Sequence, residues 1–321
     1  MKPQKSTYRL RNWRDYSASL VRRGSLTLWL DANLPDLWLC SERAGEAGAS
    51  RLYSDHAIEI CLSLRVLFRL PLRQTEGFVR SLLCLAGLPF STLPVPDYTT
   101  LCRRQKDLEI ALPVRASGKA RHLVIDSTGL KVYGEGEWKV RTHGKDRRRV
   151  WKKLHLSVDE ASGEVLALEM TGGDVADGPL LPQLVRESRQ VGGDVAQASA
   201  DGAYDSWSND RFLTEQGIVS TIPPRKGSRI RQHGNRRQVP PLQRDENLRR
   251  IRRWGRARWA RASGYSRRAL SETQMMRQKR ILGASLASRA EQNQVVECRL
   301  RCAILNKMTH LGMPDSYRIC T

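Results

Sequence analysis

The sequence predicts a mixed α/β fold with a helical N-terminal region, on two observations. Apolar positions in residues 1–110 recur at helical spacing, whereas from Leu123 onward short alternating runs give three β segments followed by α, β, α and β. A basic stretch and two further helices complete the chain, an order that suits an α/β sheet rather than a bundle or a sandwich. At 321 residues the chain is long enough for two domains, or for one domain with a large insertion.

Each element has its own local reason. Residues 57–70 are too densely apolar for a surface helix and read as core. From Thr75, the positions Phe78, Val79, Leu82, Leu83 and Ala86 share one helical face, which Gly87 and Pro89 close. Asp97 is placed to cap a short helix from Tyr98 to Lys106 that ends in Arg103, Arg104 and Lys106. These two helices suit a helix-turn-helix, and ordinary helical packing explains them as well. Leu123–Asp126 and Leu130–Tyr133 are short strands flanking Gly129, and Lys153–Val158 with Val165–Met170 form a hairpin around a turn-rich link. Helix 180–191, strand 195–200, helix 209–216 and strand 218–222 follow. After Gly264 come a helix to about Leu282 and another from about Leu286 to Leu311.

Composition narrows the partner. Forty per cent hydrophobic and 27% charged residues exclude a disordered or collagen-like chain. The excess of 55 Lys+Arg over 33 Asp+Glu gives a net charge of +22, which favours a polyanion and above all nucleic acid. The charge is uneven: residues 225–268 carry 16 Lys+Arg against Asp245 and Glu246 alone, and Arg249, Arg250, Arg252 and Arg253 form its densest run. Arginine suits bidentate phosphate contact, and the interleaved Trp254 and Trp259 offer stacking faces. A solvated basic loop is the plainer reading. A second run extends from Lys139 to Lys153, relieved only by Asp146. The seven cysteines read as reduced, buried thiols, and Cys298 with Cys302 lacks partners at zinc-ligand spacing. No 18-residue apolar stretch and no leader-like start are present, so a cytoplasmic, nucleoid-associated protein with no membrane partner is expected.

The chemistry converges on three acids. Asp126 ends the first central strand and Asp201 ends a later one; if those strands are neighbours, the pair makes a hard oxygen site for Mg²⁺ or Mn²⁺. Two turn aspartates would look the same. On the helix expected from Gly264, Tyr265, Arg268, Glu272 and Lys279 fall within a stripe about 60° wide, so a carboxylate sits among cations on one face. Such a face suits a site that binds both a divalent metal and a phosphate backbone, and taken alone it also suits a surface ion pair. Asp159, Asp174, Asp177 and Asp205 are turn acids of second rank, and His143 and His155 read as structural or phosphate-contacting groups.

The run Tyr265-x2-Arg268-x3-Glu272-x6-Lys279 resembles the signature of DDE transposases from bacterial insertion sequences of the IS-four and IS-five-like group. Further segments are similar: Leu123–Leu130 around the first Asp, Ser199–Asp205 around the second, Arg149–Asp159, Ile222–Lys226, Ile304–Met308, and the start Asn12–Leu26. The resemblance implies an RNase H-like core in residues 116–321 with Asp126, Asp201 and Glu272 as metal ligands. It places a basic insertion at 223–264 and a helical region that binds terminal repeats in residues 1–115. It further implies two Mg²⁺ or Mn²⁺ ions and double-stranded DNA as partner, both the terminal inverted repeats and the target. Tyr265, Arg268 and Lys279 would contact DNA at the cleavage site, Arg249, Arg250, Arg252 and Arg253 would add backbone contacts, and the DNA-bound form would be a homodimer. The expected activity is metal-dependent strand cleavage followed by strand transfer. An RNase H-like nuclease that cuts without joining, or a non-catalytic DNA-binding protein, are the alternatives.

Overall fold

The computed structural model describes residues 7–30, 33–40, 52–132, 151–231 and 242–319. The second basic run falls largely outside them, with only Lys152 and Lys153 described. Two compact units divide the chain: Met1–Glu109 with Ile304–Thr321, and Ile110–Ala303.

In the first unit, strand β1 (Thr7–Leu10) and helices α1 (Trp13–Arg22), α2 (Leu34–Leu37), α3 (Asp55–Phe68), α4 (Leu72–Ala86) and α5 (Tyr98–Gln105) follow in order. The C-terminal strand Ser316–Ile319 pairs antiparallel with β1. Helix α3 starts where Ser54 Oγ accepts from Ala57 N at 3.0 Å, and it buries Ile58, Cys61, Leu62 and Leu64 as the apolar run demands. Asp97 caps α5 as the sequence suggests, accepting from Thr100 N at 2.7 Å. The connection between α4 and α5 runs from Gly87 to Asp97 and contains a 3₁₀ turn, far longer than the turn of ~3–4 residues in a helix-turn-helix, so the pair is not that motif. Arg104, one of the cations that end α5, donates to Tyr53 O at 3.0 Å and pairs with Asp55.

The second unit is built on a mixed sheet. Its strands are β2 (Arg121–Val132), β3 (Trp151–Asp159), β4 (Val165–Gly172), β5 (Val195–Ala200) and β6 (Val219–Thr221), in spatial order β4-β3-β2-β5-β6. β2, β3 and β4 form an antiparallel meander, whereas β5 joins β2, and β6 joins β5, in parallel. The parallel connections run through helices α6 (Leu181–Gly192) and α7 (Trp207–Glu215), as parallel pairing requires. This is the RNase H-like mixed sheet expected from the resemblance. Helices α8 (Gln243–Trp254), α9 (Arg256–Ala262) and α10 (Ala269–Leu282), the short strand β7 (Ser285–Leu286) and helix α11 (Glu291–Leu311) follow.

Two apolar layers flank the sheet. Leu123 and Ile125 of β2 pack with Leu181, Leu184 and Leu213 from α6 and α7. Leu130 and Val132 of the same strand pack with Met275 of α10 and with Cys298 and Cys302 of α11. Both faces are therefore covered, which explains why the strands read as dense apolar runs. The two strands expected at 123–126 and 130–133 are one continuous β2. Gly129 does not break it, since it keeps its place in the ladder opposite Lys153; a Cβ added there would meet the Trp151 ring at 3.2 Å. The cysteines are not uniformly buried, since Cys84 and Cys102 are exposed. Among the described residues no helix is long and apolar enough to cross a membrane.

From Gln243 onward the basic segment is helical, whereas its described start, residues 225–231, is a loop. Helix α8 is tied to the sheet edge by Asn247, whose Nδ2 donates to Ser220 O at 2.9 Å, and by Arg244, whose Nε donates to the buried Asp205 at 2.6 Å. Gly255, at φ 81°, makes the break between α8 and α9 that an L side chain resists. Under this knot lies Asp210, 3% exposed. Burial pushes its carboxyl up to about 6, although the backbone N–H and guanidinium of Arg244 pull the other way.

A raised folded pKa means that ionised Asp210 costs stability, and the cost appears as pH rises from the unfolded value near 4 through about 6. Asp210→Asn is expected to stabilise the chain by about 1–3 kcal/mol at pH 7, with the gain vanishing below about pH 4. Unfolding midpoints across pH 4–8 check this, and a gain independent of pH would contradict it.

Candidate active site

Register brings the first two acids together. In the parallel ladder Val124 faces Ser199 and Ile125 faces Ala200, so the next residues along the two strands are Asp126 and Asp201. Asp126 does not end its strand, as the sequence suggested; β2 runs on to Val132 against β3, and what ends beside Asp126 is the partner strand β5. Asp201 stands at the exit of β5 with extended backbone, its Oδ1 accepting from Ala203 N at 2.8 Å.

Asp126 shares its face of the sheet with Leu130 and Val132, the face covered by α10. There its Oδ2 accepts from Arg268 Nη1 at 2.8 Å and from Ser271 Oγ at 3.2 Å, while its Oδ1 accepts from Ser127 N at 2.8 Å. Burial pushes the Asp126 carboxyl up and the neighbouring Asp201 adds to it; Ser127 N–H, Arg268 and Ser271 draw it back down.

Arg268 also pairs with Glu272, so one guanidinium bridges the sheet acid and the helix acid. The four signature residues do not ride on a single helix. Gly264, at φ 74°, starts a 3₁₀ turn over Tyr265–Arg268, and the α-helix begins only at Ala269. The tighter turn lets Arg268 reach across to Asp126 while remaining at i, i+4 from Glu272. Glu272 and Lys279 line a shallow groove of about 550 Å³ with Thr128, Met275, Met276 and Arg280. Tyr265 is half-buried, its ring 5.3 Å from that of Trp259.

Elsewhere the sequence-predicted residues divide into exposed and committed groups. Trp259 is not a stacking face for bases: it is fully buried, with Nε1 donating to Asn247 Oδ1 at 3.2 Å. Trp254 is 37% exposed, with the Arg258 guanidinium 5.8 Å from its ring. On α8, Arg250 and Arg253 are exposed, Arg249 pairs with Glu246, and Arg252 donates to Ser228 O at 3.2 Å. Asp205 faces Arg244 and Arg225 N rather than the acid pair. Asp159 and Glu164 surround the buried Arg121, with Asp159 at 2.7 Å. Ser271 and Ser127, which hold Asp126, gave no signal in the sequence beyond their nearness to the acids.

Asp126, Asp201 and Glu272 offer hard carboxylate oxygens, the donors Mg²⁺ and Mn²⁺ favour. A cation already lies between two of them, the Arg268 guanidinium, which shows that this spot concentrates negative charge. As they stand, no three His, Cys, Asp or Glu side chains among the described residues close on one point to hold a metal ion.

Two family models, both describing a transposase DDE domain, match the chain over residues 21–135 and 117–307. Among solved structures, the chain is similar to a piggyBac transposase synaptic complex with hairpin DNA. That match has 12% identity and a TM-score of 0.43, and covers 95% of this chain and 76% of the other. A Drosophila P element transposase strand transfer complex matches at 15% identity and a TM-score of 0.30, over 58% of this chain and 42% of the other.

Proposed function

The chain belongs to the transposase DDE domain family, whose members use divalent metal ions, and from that premise we propose that it cuts and joins DNA at Asp126, Asp201 and Glu272. The observation that carries the assignment is the placement of two acids in register on neighbouring strands, with a third tied to the first through Arg268. Two Mg²⁺ or Mn²⁺ ions would be held by these carboxylates, activating a water or a 3′-hydroxyl and stabilising the leaving oxygen of an in-line displacement at phosphorus. Glu272, now paired with Arg268, would serve as the third carboxylate for the metal, and the Arg268 guanidinium would serve as a cation for the DNA phosphate. Lys279, on the same groove as Glu272, adds a second cation for the DNA backbone, and Tyr265 braces the turn against Trp259.

The partner is double-stranded DNA, the inverted repeats of the element and its target, bound by a homodimer in the nucleoid. The net charge of +22 supports this reading, as do the exposed arginines of α8. Residues 1–115 serve as the terminal-repeat-binding region, 116–321 as the catalytic domain and 223–264 as its basic insertion. The Tyr-Arg-Glu-Lys spacing supports placing the chain in the IS-four and IS-five-like group.

The test uses labelled duplexes carrying the DNA that flanks the gene, with Mg²⁺ or Mn²⁺ and a plasmid target. Wild type is expected to cut the 3′ end and join it to the plasmid. Glu272→Gln is expected to lose both reactions by at least ~100-fold while binding the duplex normally, because it removes a charged metal ligand at nearly constant shape. Retained cleavage in that variant would overturn the assignment, and cleavage without joining would favour a nuclease. Changing Arg249, Arg250, Arg252 and Arg253 to Ala is expected to weaken DNA binding and flatten its dependence on salt, by up to ~0.9 in log–log slope for each phosphate that is no longer neutralised. An unchanged slope would show that this face of α8 does not meet DNA.

A further inference from the structure

Behind the acid pair, on the opposite face of β2, lies a polar cluster that the proposed reaction does not use. Ser127 follows Asp126 and points the other way, its Oγ donating to Asp177 Oδ2 at 3.1 Å. Asp177, in the turn after β4, is held by Lys153, whose Nζ donates to Asp177 Oδ1 at 2.9 Å and to Val175 O at 2.8 Å. Lys153 and Ser127 belong to paired strands, Ser127 facing His155 and Gly129 facing Lys153, so the ladder sets their spacing.

Two fully buried polar atoms lie by the cluster without a hydrogen-bond partner among the described residues. His155 Nδ1 lies 3.8 Å from Asp177 Oδ1, its Nε2 being engaged with Thr171 Oγ1 at 2.9 Å. Tyr204, the last residue of the turn that follows Asp201, is fully buried and its Oη lies in the combined field of Asp177, Asp126 and Asp201. Burial first, and those three carboxylates after it, push the Tyr204 phenol well above its ordinary value, so it remains a neutral donor. The buried imidazole of His155 beside Asp177 marks a polar cluster built around that carboxylate, since orphaned polar atoms are costly and rare.

We propose that Asp177 is a positioning residue for the acid site, acting through Ser127: the lysine-anchored carboxylate grips Ser127 Oγ and so fixes the backbone that presents Asp126. The link is short. Ser127 N holds Asp126 Oδ1 at 2.8 Å while Ser127 Oγ is held by Asp177, so residue 127 is gripped from both sides of the sheet. Asp177 stands on the other face of β2 from Asp126, with its carboxylate paired to Lys153 and to Ser127. Groups one step removed from a metal commonly set its affinity by orienting the groups that touch it. The inference rests on the reading of Asp126 as a metal ligand.

The test measures Mn²⁺ binding to the full chain by the electron paramagnetic resonance signal of the free ion, with the metal alone as probe. Ser127→Ala and Asp177→Ala are expected to weaken Mn²⁺ binding by roughly tenfold, while Asp177→Asn, which keeps a polar partner for Ser127, stays close to wild type. The same variants should raise the Mn²⁺ concentration needed for half-maximal cleavage and leave duplex binding unchanged, a pattern that a general loss of packing would not give. Wild-type Mn²⁺ affinity in both alanine variants would overturn the proposal. Asp126→Asn separates the two readings. If that variant loses Mn²⁺ while Ser127→Ala and Asp177→Ala keep it, the positioning role fails alone; if Asp126→Asn binds Mn²⁺ as wild type does, the metal-ligand reading fails and takes this one with it.

Discussion

The parallel pairing of β2 with β5 sets where both sheet acids stand, because residues in register on neighbouring parallel strands share a face. A slip of one residue would turn Asp126 toward α6 and α7 and bury its charge against Leu181, Leu184 and Leu213. The apolar layers forbid that slip. Leu123 and Ile125 are held on one side, Leu130 and Val132 on the other, and Asp126 falls between the two sets at the point where β5 ends. Packing thus fixes the register, and the register fixes the acid pair.

Electrostatics then shapes what surrounds the pair. A half-buried carboxylate beside another needs a compensating cation, and Arg268 supplies it from a 3₁₀ turn that an uninterrupted α-helix would not have allowed. The same arginine neutralises Glu272, so Asp126, Arg268 and Glu272 form one linked charged unit. The surrounding arginines follow a different rule. Those that face the protein are committed to structure, as Arg121 is between Asp159 and Glu164 and Arg244 on Asp205, while Arg250 and Arg253 stay exposed. Net charge alone does not distinguish the two classes.

The sheet was legible in the sequence because its strands are short, apolar and bounded by turns, and the hairpin at β3 and β4 and the strand β5 stand where the pattern put them. The acids were legible because each follows an apolar run or sits on a polar stripe. What escaped depended on tertiary contact. The continuity of β2 past Asp126 comes from its ladder with β3, which local sequence does not reveal. Trp259 looked like a stacking face because arginines flank it, yet its ring is core and its N–H is taken by Asn247. The helices of the basic stretch were hidden by arginine density, since their few buried positions, Asp245, Asn247, Leu248 and Trp259, carry little periodic signal. Ser127 and Ser271 were invisible for the plainest reason: a serine beside an acid is ordinary until the distance is known.

The most direct test of a shared metal site is iron-directed cleavage of the polypeptide. Fe²⁺ bound in place of Mg²⁺, with ascorbate and peroxide, generates hydroxyl radicals that cut the backbone beside the ion, and the cuts are mapped by mass spectrometry. Cuts clustered at Asp126, Asp201 and Glu272, suppressed by Mg²⁺ and absent from Asp126→Asn, are the expected result. Cuts elsewhere, or a pattern that Asp126→Asn leaves unchanged, would contradict the claim that the register of β2 and β5 builds the metal site.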